Sequence, residues 1–219
     1  MASHLARPEI DRRHPQHVTL RVTSEIGWMR RLDTYAAVRR ALRVVLPRHV
    51  EFRIVHLSLE NTHVHLLVEA SDKKCLANGM RAFQISAAKQ LNATVSRRRR
   101  LAERRRGAVF LDRYYVEDIG SVRQVRNTLA YVLNNWRRHR EDANAFSLFD
   151  GRLDPYASGL AFRGWREVIP TEERWLPRDY EPPAVSDPRT WLLGQGWTRA
   201  KSISMFEVPG PAPRSTRRP

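Results

Sequence analysis

Apolar and polar residues alternate along His17–Val22, with Val18, Leu20 and Val22 set against His17, Thr19 and Arg21. That period of two predicts a short strand. From Met29 to Leu46 the period lengthens. Leu32, Ala36, Val38, Leu42 and Val45 mark one side of a helix that Pro47 stops. Two further strand-like runs, 51–60 and 62–70, lie close enough together to form a hairpin. A second helix is expected over 73–95, weakened at Gly79, then an extended segment over 107–119 and a third helix over 121–139 with Ser121 as its N-cap. Strand, helix, strand, strand, helix, strand is the order of a split βαβ, ferredoxin-like α+β domain, and the third helix is an addition to its sheet.

The pattern divides the chain into a flexible arm (1–15), a main domain (16–141), an irregular extension packed on that domain (142–208) and a disordered tail (209–219). The extension is rich in proline and tryptophan and has no long periodic run. Its tryptophans, Trp165, Trp175, Trp191 and Trp197, read mainly as a cover over the core, since an indole contributes a large apolar area when buried.

Charge narrows the class of partner. Lys and Arg number 39 against 23 Asp and Glu, a formal net charge of +16. A field of that sign attracts polyanions, nucleic acid first among them. The density peaks in "SRRRRLAERRRG" (96–107), so Arg97, Arg98, Arg99, Arg100, Arg104, Arg105 and Arg106 are candidate DNA-phosphate contacts, with Arg138 on the third helix. Cys75 is the only cysteine, which excludes an intrachain disulfide and a cysteine-based zinc site and fits a cytoplasmic protein. No apolar run is long enough for a membrane span, and the N-terminus lacks the apolar core of a secretion signal.

In "NTHVHLLVEA" (61–70), Val64, Leu66 and Val68 point one way along a strand, and His63, His65, Leu67 and Glu69 the other. Two imidazoles on one face can converge on one metal ion or one phosphate. The bland alternative is a pair of satisfied histidines, and His17 and His56 are fallback ligands. On the third helix, Val122, Val125, Leu129, Val132, Leu133 and Trp136 form the apolar stripe. Tyr131 falls about 160° from Leu133 on the wheel, with Asn135 one turn further and Asn127, Asn134 and Arg138 on the same polar side. A phenol can attack a phosphodiester and hold it covalently. Two imidazoles and an amide leave coordination positions open, which suits Mg2+ or Mn2+ better than closed tetrahedral zinc.

The segments "HPQHVTLRV", "FRIVHLSLENTHVHLLVEA" and "VFLDRYYVEDIGSVRQVRNTLAYVLNNWRRH" resemble the REP-associated tyrosine transposases, relatives of the IS200-like single-tyrosine HUH transposases. The resemblance covers roughly residues 14–140. It places the His-hydrophobic-His motif on His63-Val64-His65, the nucleophile on Tyr131 and a third metal ligand on Asn135. Two positions depart from the family's usual pattern: Trp136 follows Asn135, and Thr62 separates Asn61 from His63. The resemblance implies a four-stranded antiparallel sheet and a metal-dependent endonuclease and strand transferase. The partner would be single-stranded or hairpin DNA, the intermediate a 5′-phosphotyrosine, and the protein a monomer or homodimer. Tyr114 and Tyr115 are lesser candidates for nucleophile. Two other classes remain: a non-catalytic nucleic-acid-binding descendant on the same fold, and a metal hydrolase using His63, His65 and a carboxylate such as Glu69.

Overall fold

A computed structural model describes residues 9–142, 153–168 and 180–210. Its strands are β1 (Gln16–Arg21), β2 (Phe52–Leu59), β3 (His63–Ala70) and β4 (Tyr115–Asp118). The long helices are α1 (Leu32–Val45), α2 (Lys73–Arg98) and α3 (Val122–Arg138), and a single turn, α4, covers Trp191–Gly194. The sheet order is β2-β3-β1-β4 with every pairing antiparallel, the arrangement expected of a split βαβ domain.

The sheet has two covered faces. Val18, Leu20, Val64, Leu66 and Val68 belong to the face on which Phe52 meets α2. His17, Thr19, His65, Leu67 and Glu69 belong to the other, which α3 and the extension cover. Leu67 and Glu69 are accordingly as buried as Val68, and β3 does not have the half-exposed face its alternation suggests. A bulge between Ile54 and His56 shifts the register of β2 by one residue. Phe52 and Ile54 precede it on the α2 face, and Leu57 and Leu59 follow it there. The same shift sends His56, Ser58 and Glu60 to the α3 face.

Several elements differ in extent from the sequence reading. α1 begins at Leu32 because residues 29–31 form a turn instead, where the Met29 amide donates to Asn61 O and Thr34 Oγ1 donates to Met29 O. α2 runs unbroken through Gly79, where the Phe52 ring occupies the space a Cβ would need. It also continues into the arginine run as far as Arg98. The 107–119 segment touches β1 through only one isolated bridge, Val22 to Phe110, before pairing as β4. The helix caps at Asp72 and Ser121 accept from the amides of Cys75 (2.7 Å) and Gln124 (3.3 Å), each contributing about 1 kcal/mol. Part of the expected arm is ordered: His14 Nδ1 lies 2.6 Å from Asp118 Oδ2, against the end of β4. Residues 1–8 of the arm, and 211–219 of the tail, lie outside the described residues.

The extension is bound to the domain by buried polar contacts. Glu69 accepts from the amides of Arg189 (2.8 Å) and Thr190 (2.9 Å) and from Thr190 Oγ1 (2.8 Å). Arg30, itself buried, pairs with Asp154 and Glu141. Asn134 donates to Ser204 O, and Arg126 to the carbonyls of Lys201 and Ser202. These contacts bury the polar side of α3 on which Asn134 and Asn135 lie. Trp165 and Trp197 are buried as a cover requires, and Trp191 is half exposed. Trp175 lies outside the described residues.

His56 is buried against Phe162, with Nδ1 3.0 Å from Ser158 Oγ. Burial pushes its pKa down to about 4. An unfolded histidine takes a proton near pH 6.5, and the folded one refuses it until about 4. His56 therefore favours folding above pH 6.5, and that contribution is lost as pH falls from 6.5 towards 4, at about 1.4 kcal/mol per pH unit. His56→Gln is expected to remove roughly one proton from the pH dependence of the urea midpoint across that window. An unchanged slope would refute this assignment.

Candidate active site

The α3 face of the sheet opens into a cleft of about 380 Å3 lined by His17, Thr19, Arg21, His63, His65 and Tyr131, with Tyr115 and Glu117 of β4 opposite. Register sets this out directly: His65 stands beside Thr19 on β1, and His63 beside Arg21. Tyr131 reaches the cleft from α3. Its ring lies edge-on to His65 at 5.3 Å between centroids and edge-on to His17 at 5.8 Å. Strand imidazoles and helix phenol, distant in sequence, are therefore in contact.

The imidazoles are held by their Nδ1 atoms. His63 Nδ1 lies 2.8 Å from Thr62 Oγ1. His65 Nδ1 lies 3.2 Å from Thr19 Oγ1 and 3.3 Å from His17 Nε2. With the proton on Nδ1 donated to a hydroxyl, each ring keeps Nε2 as its free lone pair. Burial, then the neighbouring His17, His63 and His139, holds the His65 pKa well below its ordinary value. Burial, then Arg21 and His139, lowers that of His63. Both rings are neutral at pH 7, the state in which imidazole ligates a metal.

Asn135 lies one turn after Tyr131 and against its hydroxyl. Its carboxamide is buried, and neither the oxygen nor the nitrogen makes a well-formed hydrogen bond among the described residues. Such an orphaned amide is costly unless something else takes it up. Two Nε2 atoms and an amide oxygen fit a divalent cation with open positions. No group of three or more His, Cys, Asp or Glu gathers among the described residues, so a closed protein cage is not available. Burial, then the Glu60 carboxyl, raises the Tyr131 pKa, and Arg138 and Asn135 oppose the rise.

Glu60 escaped the sequence reading, as did Thr19's contact with His65. Glu60 is buried on the α3 face of the sheet, and burial together with nearby Asp154 pushes its pKa up. The signal was a glutamate ending an apolar strand, visible only once the bulge in β2 is counted. The rival ligand Glu69 has both its oxygens engaged in holding Arg189 and Thr190. Tyr114 is buried, whereas Tyr115 is exposed on the rim of the cleft. A larger concavity, about 780 Å3, lies at the other end of the sheet among Arg12, Arg53, Arg189 and Trp191. It contains neither the paired imidazoles nor Tyr131.

The arginine run is not uniform. Arg105 is almost fully occupied within the protein, donating to Gly107 O (3.0 Å), Ala108 O (2.9 Å), Asn92 and Glu25. Arg98 donates to Ile26 O (2.6 Å), Arg99 to Glu25 O (2.8 Å) and Arg104 to Lys89 O (2.8 Å). Arg97, Arg100 and Arg106 are exposed, and Arg97 donates to Thr94 Oγ1 (3.1 Å). Arg105→Ala is expected to cost on the order of 1 kcal/mol of stability, chiefly by leaving the buried Asn92 carboxamide oxygen without its donor. Arg100→Ala should leave the melting temperature unchanged and lower the salt slope of DNA binding by about one. Equal slope changes in the two variants would contradict this division.

Fold and cleft together define a small α+β domain that presents a helix phenol to paired strand imidazoles beside a cationic surface. The family profile described as "Transposase IS200 like" matches residues 17–135, more than half of the chain, and the protein belongs to that family. Among solved structures it is similar to a REP-associated tyrosine transposase bound to a REP hairpin. The two share 13% identity over 86% of this chain and 96% of that one, with a TM-score of 0.51, a likeness of fold. It is also similar to a proposed transposase from Deinococcus radiodurans R1, with 14% identity over 67% of this chain and 99% of that one and a TM-score of 0.39. No protein of curated function matches the sequence. No helix among the described residues is long and apolar enough to cross a membrane.

Proposed function

We propose that the protein is a metal-dependent single-stranded DNA endonuclease and strand transferase of the REP-associated tyrosine type, acting on hairpin-containing DNA. The observation that carries this reading is the Tyr131 ring set edge-on against His65, one turn from the buried Asn135 amide.

Tyr131 Oη attacks the phosphorus of a backbone phosphodiester. The P–O3′ bond breaks, the 3′ oxygen leaves as a hydroxyl, and the 5′ phosphate stays on the tyrosine. The phenol gives up one proton as the new bond forms, and the leaving oxygen takes one up. A 3′-hydroxyl then attacks the phosphotyrosine, joins the strands and restores the phenol, so no nucleotide cofactor is consumed. Arg138 and Asn135 face the Tyr131 hydroxyl and favour the anion that develops there, against the burial that disfavours it. His63 Nε2, His65 Nε2 and the Asn135 oxygen would hold Mg2+ or Mn2+. When bound, the cation supplies polarisation of the scissile phosphate and neutralises its charge.

The test is incubation of the full chain with single-stranded hairpin DNAs and Mn2+ or Mg2+, resolved on a denaturing gel. A protein–DNA adduct that survives SDS is the expected result. Hydrolysis without an adduct, or binding with neither, would overturn the reading, the second in favour of a non-catalytic DNA-binding protein on this fold.

A further inference from the structure

Trp28 does not line the cleft, yet the backbone on either side of it is firmly held. It is 73% exposed, the most open tryptophan among the described residues. Its neighbours Ile26 and Met29 are completely buried. Gly27 between them adopts φ 78°, ψ −162°, a backbone conformation open essentially to glycine alone. The turn is pinned on every side. The Met29 amide donates to Asn61 O (3.2 Å), Arg98 donates to Ile26 O, and Arg30 is locked in its buried pairs with Asp154 and Glu141. An indole left in water on a fixed support is an apolar surface waiting for a partner.

Its surroundings say which partner. The end of α2 docks onto this turn through Arg98 and Arg99, so the cationic end of α2, with the exposed Arg99 and Arg100, lies at the same end of the domain as the indole. Asn61, which accepts from Met29, lies two residues before His63. Chain geometry therefore places the Trp28 and His63 Cα atoms no more than roughly 16 Å apart. Aromatic faces amid phosphate-binding cations are how single-stranded nucleic acid is gripped without sequence readout.

We propose that Trp28 stacks an unpaired base of the DNA strand flanking the scissile phosphate, with the arginines at the end of α2 neutralising the backbone on either side. This rests on the DNA-processing reading above and adds a contact to it.

The test measures equilibrium binding of the full chain in EDTA, by fluorescence anisotropy, to a hairpin with single-stranded flanks and to a blunt linear duplex of the same stem. Trp28→Ala should weaken binding to the flanked hairpin about ten-fold or more, while Trp28→Phe stays close to wild type. Duplex binding and the salt slope should not change, because no charge is removed. A 2-aminopurine placed along the flank should be quenched by the wild type and not by Trp28→Ala. Unchanged affinity for the flanked hairpin overturns the proposal, as does an equal loss on the duplex. Loss of concentration-dependent self-association in Trp28→Ala, with DNA affinity intact, would assign the indole to a second copy of the chain and also overturn it. Because no metal or chemistry is involved, absence of a DNA adduct would remove the strand-transfer reading and leave this contact supported. Normal binding by Trp28→Ala with adduct formation intact would remove this contact alone.

Discussion

Tyr131→Phe is expected to abolish the SDS-resistant adduct and lower cleavage at least ~10^3-fold, as loss of a nucleophile does. The substitution is unusually clean here. The ring's edge-on packing against His17 and His65 is kept, and only Oη is lost. The buried surroundings lose no hydrogen-bonding group other than the hydroxyl, so folding and DNA affinity should remain within about two-fold of wild type. The check is the denaturing gel run beside an anisotropy titration. An adduct of undiminished yield, mapped by proteolysis to Tyr115 on the cleft rim, would reassign the nucleophile.

The second large effect is expected at His65. His65→Ala removes the imidazole that Thr19 and His17 hold in place, and with it one of two nitrogen ligands on the strand. Binding of Mn2+, followed by electron paramagnetic resonance, should fall by more than the 10–100-fold typical of losing an outer partner. Thr19→Val, which keeps the shape and deletes only the acceptor oxygen, should produce the smaller, outer-partner loss. Cleavage should fall with metal occupancy in both variants and be partly restored by excess Mn2+ in Thr19→Val. If His65→Ala binds Mn2+ as well as wild type, the imidazole pair is not the metal site.

The sequence carried the architecture well wherever one face of an element decided its period. The β1 and β3 patterns are clean because each has a continuous apolar side against the core, whereas on α1 only Val38, Leu42 and Val45 of the expected stripe are buried and Leu32 is half exposed. The candidate site was legible in its parts: a paired-histidine strand, and a tyrosine facing away from its helix's apolar stripe. What brings them together was not legible. The register of β1 against β3, which puts Thr19 and His17 at the His65 Nδ1, is a property of pairing between strands about 45 residues apart. Glu60 was missed because the β2 bulge inverts the alternation midway, although Ile54-Val55 already marks the slip in phase. The arginine run misled in a different way. Composition weighs every guanidinium alike, whereas Arg105 satisfies carbonyls of its own chain and Arg100 does not. α3 reads as a helix with a solvated side, and only the folded extension reveals why Asn134 and Asn135 are dry.

Glu69 belongs to the same strand as His63 and His65, and it fastens residues 189 and 190 to the sheet. Fragments of this protein should inherit a consequence. A piece ending near residue 141 strands a carboxylate inside the sheet, strips the cover from Asn134 and leaves Arg30 without Asp154. The smallest competent unit therefore includes the region beyond the family match, and shortening the chain there should disturb the imidazoles from behind.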